Sequence, residues 1–482
     1  MAFPVILVNA TGGSDSAASG AGPSTALTGT AAATNGAGTT VTLDSGTDLS
    51  GVATDGSHVI YLVDTTAGAR NFGKITATAG SGGATPTVTV SNAFGISISG
   101  KSWAIGGVRA SINSTSSRKL FENNSGNGDL MPGWIIEMQS GHTETVTSRI
   151  TWRRAGDTTD GPCVLRGASG GTRPVITFNQ DDIFINVRNN HLQMQFMEIV
   201  HTGAATNARA FDMGGVTGPG VIFDDIRLVT GWTRGFNNLV GCTVQNCTIG
   251  NTTSDAMANT AQTDGTRFIN NYIYSAGAAG IVLNGVAGIQ LVSGNIIANC
   301  TTQGIQDNCS RADQSGAVII EHNDIYACGG STISGYVRTS SANNGSLGSL
   351  VLRNNYFKGC GKYGIEFLTS GITATMLKAY GTVIRGNAYD SNVTGTISIA
   401  GVEVGGVTGA GPDNASYGTS GDFSKGSAFA GKGAGDPASF IGTLSATRSY
   451  VDIGAAQRQE TAAASSGARL VGNSALVTPG SL

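Results

Sequence analysis

Charge is scarce in this chain. Only 12% of its 482 residues are Asp, Glu, Lys or Arg, and the formal net charge is −3; an ordinary soluble domain carries roughly twice that share. Arg118-Lys119 and Arg153-Arg154 are isolated pairs, so the basic footprint of a nucleic-acid binder is missing. Long apolar runs are missing too, which excludes a membrane-spanning helix. The opening Met1-Ala2-Phe3-Pro4-Val5-Ile6-Leu7-Val8 lacks the positive n-region of an export signal and reads as a first β-strand, pointing to folding in a cytoplasm. Histidine numbers five, in unrelated frames that suggest no catalytic triad. The seven cysteines (163, 242, 247, 300, 309, 328, 360) are odd in number and mostly in strand frames, as expected of packed thiols and not of a disulfide framework. Cys242 and Cys247 have no accompanying His pair, so zinc is not implied. No compact aspartate set offers a calcium site. The expectation is a chain with no metal, no cofactor, no nucleic acid and no membrane as partner.

Glycine, by contrast, is plentiful at 73 residues, about twice the usual share. With 40% apolar residues the chain can still bury a continuous core. The most informative pattern is an asparagine in a fixed frame. Phe268-x-x-Asn271-x-Ile273, Val292-x-x-Asn295-x-Ile297, Ile320-x-x-Asn323-x-Ile325, Leu352-x-x-Asn355-x-Phe357 and Ile384-x-x-Asn387-x-Tyr389 share it, at intervals of 24, 28, 32 and 32 residues. A weaker copy places Asn246 between Val244 and Thr248. Downstream, Cys300, Cys328 and Cys360 follow their asparagines by five residues, and Gly280-Ile281, Gly304-Ile305 and Gly364-Ile365 follow by nine and ten. A short strand unit repeated with elastic loops is the mark of a solenoid. Stacked at the strand spacing of roughly 4.8 Å, equivalent residues would pile into columns. Asn246, Asn271, Asn295, Asn323, Asn355 and Asn387 would then form a ladder, and the cysteines and isoleucines would fill interior columns.

With these repeats the chain resembles the right-handed parallel β-helix superfamily, over about residues 220–395 and more weakly from 110. The expected architecture is all-β in three parts: a small β-rich N-terminal domain (1–110) for attachment or capping, the parallel β-helix (111–410), and a C-terminal cap and tail (411–482). Within the first, residues 11–39 are nearly uncharged and read as an extended, adaptable segment. At about 25 residues per coil the middle part would make roughly a dozen coils, on the order of 55 Å long. In the last part, Gly421-Asp422-Phe423, Gly426-Ser427-Ala428-Phe429 and Val451-Asp452-Ile453-Gly454-Ala455 resemble the closing segment of bacterial and phage β-helix proteins, with Ala428 where that segment carries proline. The whole looks like a virion protein of a tailed bacteriophage. That resemblance implies a homotrimer, assembled in the host bacterial cytoplasm and attached by its N-terminal domain to other capsid or tail proteins. It implies a capsid decoration or spike that adheres to host glycans, or alternatively a tailspike that depolymerises a bacterial surface polysaccharide.

A depolymerase needs two carboxylates across a groove. The weak candidates are Asp181, Asp182, Asp224, Asp225 and Glu321. Asp224 and Asp225 adjoin, so strand alternation sends them to opposite faces, with one at a turn. Glu321 shares its offset with Ile269, Ser293, Arg353 and Arg385, an outward position and not an acidic cluster. Each acid reads more simply as a turn or surface carboxylate. Glycan recognition by stacking would want exposed aromatics: Tyr272 and Tyr356 follow their asparagines and face away from Ile273 and Phe357. They would contact a glycan or another subunit, unless they pack against their own strands.

Overall fold

A computed structural model describes residues 3–63, 70–94, 97–122, 129–214, 220–259, 265–284, 288–308, 316–339, 349–368, 372–390, 392 and 394–408. The closing segment read from the sequence at 411–482 lies outside the described residues. The chain divides into two compact units, residues 1–227 and 228–482.

In the first unit, Leu27–Thr34, Thr40–Thr42, Val59–Leu62, Phe72–Ala79, Thr87–Val90 and Lys101–Ile105 close into an antiparallel barrel. Its inside is a single apolar cluster that includes Val41, Ile60, Ile75, Val88 and Trp103. The Asp44 carboxylate accepts the Trp103 indole N–H at 2.6 Å, and this bond, followed by backbone N–H groups of Ala31 and Thr30, holds its pKa below the usual carboxylate range. Gly29 makes that approach possible, because a Cβ there would lie 2.0 Å from the same carboxylate. The strand Leu27–Thr34 falls inside the stretch read as extended and adaptable. Its alternation is hidden because seven of its eight residues are Thr, Ala or Gly, and small side chains mark neither face.

The strand Val5–Val8, placed by the sequence in the N-terminal domain, does not join the barrel. It pairs in parallel with Ile135–Met138, Ile6 opposite Ile136, and so forms part of the coil. Between the two, Arg109 is fully buried over the rings of Tyr61 and Phe72 at 4.9 and 5.2 Å. It donates to the Ala18 and Asp15 carbonyls and to the Ser116 and Ser117 hydroxyls. A buried guanidinium is tolerated only with such a complete set of acceptors. The helix Thr115–Phe121, capped by Ser114, then sets Phe121 edge-on against Trp152 at 5.0 Å. From there the strands Ile135–Met138, Cys163–Gly167, Leu192–His201 and Val221–Leu228 run parallel, with Ile136, Leu165, Met194 and Phe223 in one buried column.

The second unit is the repeat region. Val244, Phe268, Val292, Ile320, Leu352 and Ile384 stack in one column. Ile249, Ile273, Ile297, Ile325, Phe357 and Tyr389 stack in the next. Ile281, Ile305, Tyr336, Ile365 and Ile397 line the facing sheet. All but Ile397 are buried, and each fully buried aliphatic contributes about 1.5–3 kcal/mol. Ahead of the last column runs Gly280, Gly304, Gly335 and Gly364. A Cβ on any of them would come within 2.6–2.7 Å of a core side chain, so the sheet and the core can meet there only at glycine. These coils are a right-handed parallel β-helix.

Candidate functional site

The asparagine ladder sits at a bend just before the second strand of each coil. The main-chain N–H and the Nδ2 of Asn271 both donate to Oδ1 of Asn295, at 2.9 Å each. Asn295 treats Asn323 likewise, Asn323 treats Asn355, and Asn355 treats Asn387. The remaining Nδ2 proton of each meets a carbonyl of the coil behind, as Asn323 meets Val292 at 2.9 Å. The amides are 0–1% exposed and fully bonded, the condition under which buried polar groups stabilise. The residue before each asparagine (Asn270, Gly294, His322, Asn354, Gly386) is left-handed, with φ from 53° to 69°. Asn and Gly adopt that conformation most readily, which explains the recurrent Asn-Asn and Gly-Asn pairs.

Asn246 is not a rung of this ladder. It is itself left-handed at φ 54°, in register with Asn270, and the ladder position beside it is Cys247, whose N–H donates to Asn271 Oδ1 at 3.0 Å. The weak copy is displaced by one residue. At the other end Glu403 stands in for a sixth asparagine. Its Oε1 accepts the Asn387 N–H at 3.2 Å and Nδ2 at 2.9 Å, and its Oε2 accepts the Tyr389 hydroxyl at 2.8 Å. Gly406 leaves the space, since a Cβ there would lie 2.6 Å from the carboxylate. Burial pushes the Glu403 carboxyl above its usual range against the pull of these donors. Burial and the adjacent Glu403 push the Tyr389 hydroxyl up as well.

Cys300, Cys328 and Cys360 are buried to 2% exposure or less. The Cys328 thiol and burial raise Cys300 well above the ordinary thiol range, and burial does the same to Cys360. Outside this column, Cys163 and Cys242 are pushed up to about 12, chiefly by burial. These thiols are packing, not nucleophiles. Tyr356 does not offer a contact surface: it is fully buried, packed with Tyr274, Tyr326, Ala298 and Ala388, with the Tyr326 ring edge-on at 5.7 Å. Outward direction does not expose it, because the Tyr326 ring packs against it from the preceding coil while its own register partners are Asp324 and Ala388. Tyr272 is half-buried and lies 5.0 Å from the Tyr274 ring.

The candidate acids are not brought together. Asp181 is exposed and accepts the backbone N–H groups of Thr206 and Asn207, which hold its pKa down. Asp182 faces Arg149 at 3.4 Å. Glu321 is 4% exposed and receives Arg353 at 2.7 and 2.8 Å. Asp225 occupies a left-handed turn at φ 51°, and both its carboxylate oxygens accept from one nitrogen of Arg173. Asp224 projects from the outer face.

Glu137 was among the carboxylates available in the sequence, but the column it belongs to was not legible there. Glu137, Arg166, Gln195 and Asp224 stand opposite one another on four successive strands. Arg166 binds Glu137 at 2.7 and 2.8 Å, and Gln195 accepts from Gln193 at 2.8 Å. Beside this floor the chain bends unequally. Between the paired positions Arg166/Gln195 and Val175/Glu198 one strand uses residues 167–174, the other only Phe196 and Met197. The surplus forms a ledge, and Arg173 folds back from it over the Phe196 ring, at 4.4 Å, to Asp225. Arg166, Gln195 and Asp224 on the floor and Ser169 and Gly170 on the ledge line the resulting open groove.

Among the described residues no group of three or more His, Cys, Asp and Glu could hold a metal ion, and no helix is long and apolar enough to cross a membrane. A family model described as "Right handed beta helix region" matches residues 232–406. No curated protein matches the chain. Among solved structures it is similar to pectate lyase Pel9A, with 14% identity and a TM-score of 0.44 over 69% of this chain and 89% of that one. It is similar to the A-module of the mannuronan C-5 epimerase AlgE6 of Azotobacter vinelandii, at 14% identity and TM-score 0.32, covering 58% and 92%. It is also similar to ORF18 of Geobacillus virus E2, at 11% identity and TM-score 0.34, covering 57% and 52%. The family model agrees with the right-handed parallel β-helix formed by the coils of the repeat region.

Proposed function

We propose that this chain is a structural surface protein of a tailed-bacteriophage virion, a capsid decoration or spike. In this reading it works as a homotrimer, is attached to other capsid or tail proteins through its N-terminal barrel, and adheres to bacterial surface polysaccharide without cleaving it. The observation that carries the non-enzymatic part is the pairing of the groove's carboxylates. Of the two that line it, Asp224 and Asp225, Asp225 is chelated by Arg173 through both oxygens, whereas glycoside hydrolysis needs two acids facing the substrate within roughly 9.5 Å of each other. Glu137, bound to Arg166, stands three rungs from Asp224, about 14 Å at the strand spacing. The closing segment at 421–455 and the low charge support a virion origin; a weakly charged outer face also tolerates burial against sister chains better than a strongly charged one.

Purified particles from the genome that encodes the chain are expected to contain it, in a copy number divisible by three. Its absence from particles overturns the virion role. Host polysaccharide incubated with the protein is expected to yield no new reducing ends or unsaturated sugars; their appearance would replace this reading with a depolymerising tailspike.

A further inference from the structure

We propose that Arg70 and Arg154 form a binding site for one tetrahedral oxyanion: free phosphate or sulfate, or the phosphate-monoester end of a larger molecule. The first support is that two like charges converge on one weak acceptor. Arg70 Nη1 lies 3.4 Å and Arg154 Nη2 3.2 Å from the Met131 sulfur, so the two nitrogens are no farther apart than those contacts laid end to end. A thioether accepts hydrogen bonds poorly and carries no charge to offset two cations. Burial, and after it the charge of Arg154, push the Arg70 guanidinium below its usual range, while Asp129 pulls the other way. Asp129 is fully buried and accepts the Asn71 main-chain N–H at 2.8 Å. Asp157, which with Arg154 acts on the Cys163 thiol, accepts the main-chain N–H groups of Thr159 and Asp160. Among the described residues neither guanidinium is in salt-bridge contact with a carboxylate.

The second support is that the surrounding chain holds both arginines in place. Arg70 leads into the barrel strand Phe72–Ala79, and its main-chain N–H donates to the Phe94 carbonyl at 3.1 Å. Arg154 follows the coil strand Ile150–Trp152, and its Nε donates to the Leu130 carbonyl at 2.7 Å. The segment 129–131 between them hangs from the helix Thr115–Phe121. There the Asp129 and Leu130 N–H groups donate to the Lys119 and Leu120 carbonyls at 2.9 and 3.1 Å. Both arginines are half-buried, which shields them in part from bulk water and leaves them within reach of a solute. Nε and Nη2 of Arg70 and Nη1 of Arg154 have no hydrogen-bond partner among the described residues. A carboxylate has two oxygens and is filled by one guanidinium fork, whereas a tetrahedral oxyanion has oxygens for two. Bound there, it ties the barrel to the coil, with one fork from each.

The test titrates the full chain calorimetrically with sodium phosphate, sodium sulfate, glycerol 3-phosphate and sodium acetate, with chloride holding the ionic strength constant. One phosphate or sulfate per chain is expected, with acetate weaker by about tenfold or more. Arg70→Lys and Arg154→Lys keep the charge and lose the fork. Each should weaken phosphate about tenfold or more, while Arg153→Gln, at the exposed neighbouring residue, should leave it unchanged. Melting temperatures equal to the parent's in chloride buffer would show that the variants are folded. Phosphate should also raise the parent's melting temperature as its concentration grows. Because phosphate stabilises proteins generally by exclusion from their surface, the increment that counts is the part the lysine variants lose. Glycerol 3-phosphate binding alongside phosphate supports an ester-borne source; phosphate binding without it supports the free ion. No binding of phosphate or sulfate to the parent, acetate binding as tightly, or phosphate binding undiminished in both lysine variants overturns the proposal. None of these outcomes alters whether the chain is found in particles, so the virion reading stands or falls separately.

Discussion

Asn323 donates its N–H and one Nδ2 proton forward and accepts two bonds from Asn295. Asn323→Ala therefore strands several buried groups at once and is expected to cost about 3 kcal/mol or more, read from the denaturant midpoint. Asn246→Gly should cost less than half as much, because that residue supplies a bend and not a rung. Glu403 titrates in the other direction from most carboxylates. Its folded pKa lies above its unfolded one, so its stabilising contribution is complete below the unfolded value and is lost as pH rises through the folded value. Glu403→Gln keeps an acceptor for Asn387 and cannot ionise. It should raise the melting temperature at pH 8 and leave it nearly unchanged at pH 4. Five rungs of the ladder were legible in the sequence because their frame repeats intact. Asn246 and Glu403 were not, since a one-residue slip and a side chain reaching in from three residues upstream leave the spacing without a clue.

At the scale of elements, the columns decide what each position tolerates. Cys328 is wholly enclosed with Cys300 and Cys360 in line with it. Cys328→Asp buries a charge without a partner and should lower the unfolding free energy by several kcal/mol or prevent folding, with a lower urea midpoint; an unchanged midpoint would place the column outside. The groove wall has a different weakness. Removing the Arg173 tie by Arg173→Ala is expected to make residues 167–174 a preferred protease site, seen by limited trypsin-free digestion and mass spectrometry, with little change in global stability. Strand alternation sent Asp224 and Asp225 to opposite faces without telling which faces out, and did not give Glu137, Arg166 and Gln195 as neighbours of Asp224. Those contacts join residues about 29 apart, and only register assigns them.

For the whole molecule, the barrel is an insertion more than a leading domain. Leu27 pairs with Ile105, and the Gly107 N–H donates to the Pro23 carbonyl at 2.8 Å, so the chain leaves and re-enters at one place. Replacing residues 27–105 by a short glycine linker is expected to leave the first coil folded, with its circular dichroism still that of β-structure, while abolishing incorporation into particles. Removing all of 1–110 should do worse, because it also takes Val5–Val8 from the edge of Ile135–Met138 and bares that edge to aggregation.

The coil architecture was determined by the sequence alone, because a periodic ladder requires the same side chain at the same offset in every turn, and that requirement is written as a repeat. Which acids meet, which tyrosines are covered, where the first strand pairs and where the ladder stops were decided by tertiary structure. Those depend on register between segments far apart in the chain and on loops of unequal length, and neither leaves a periodic trace.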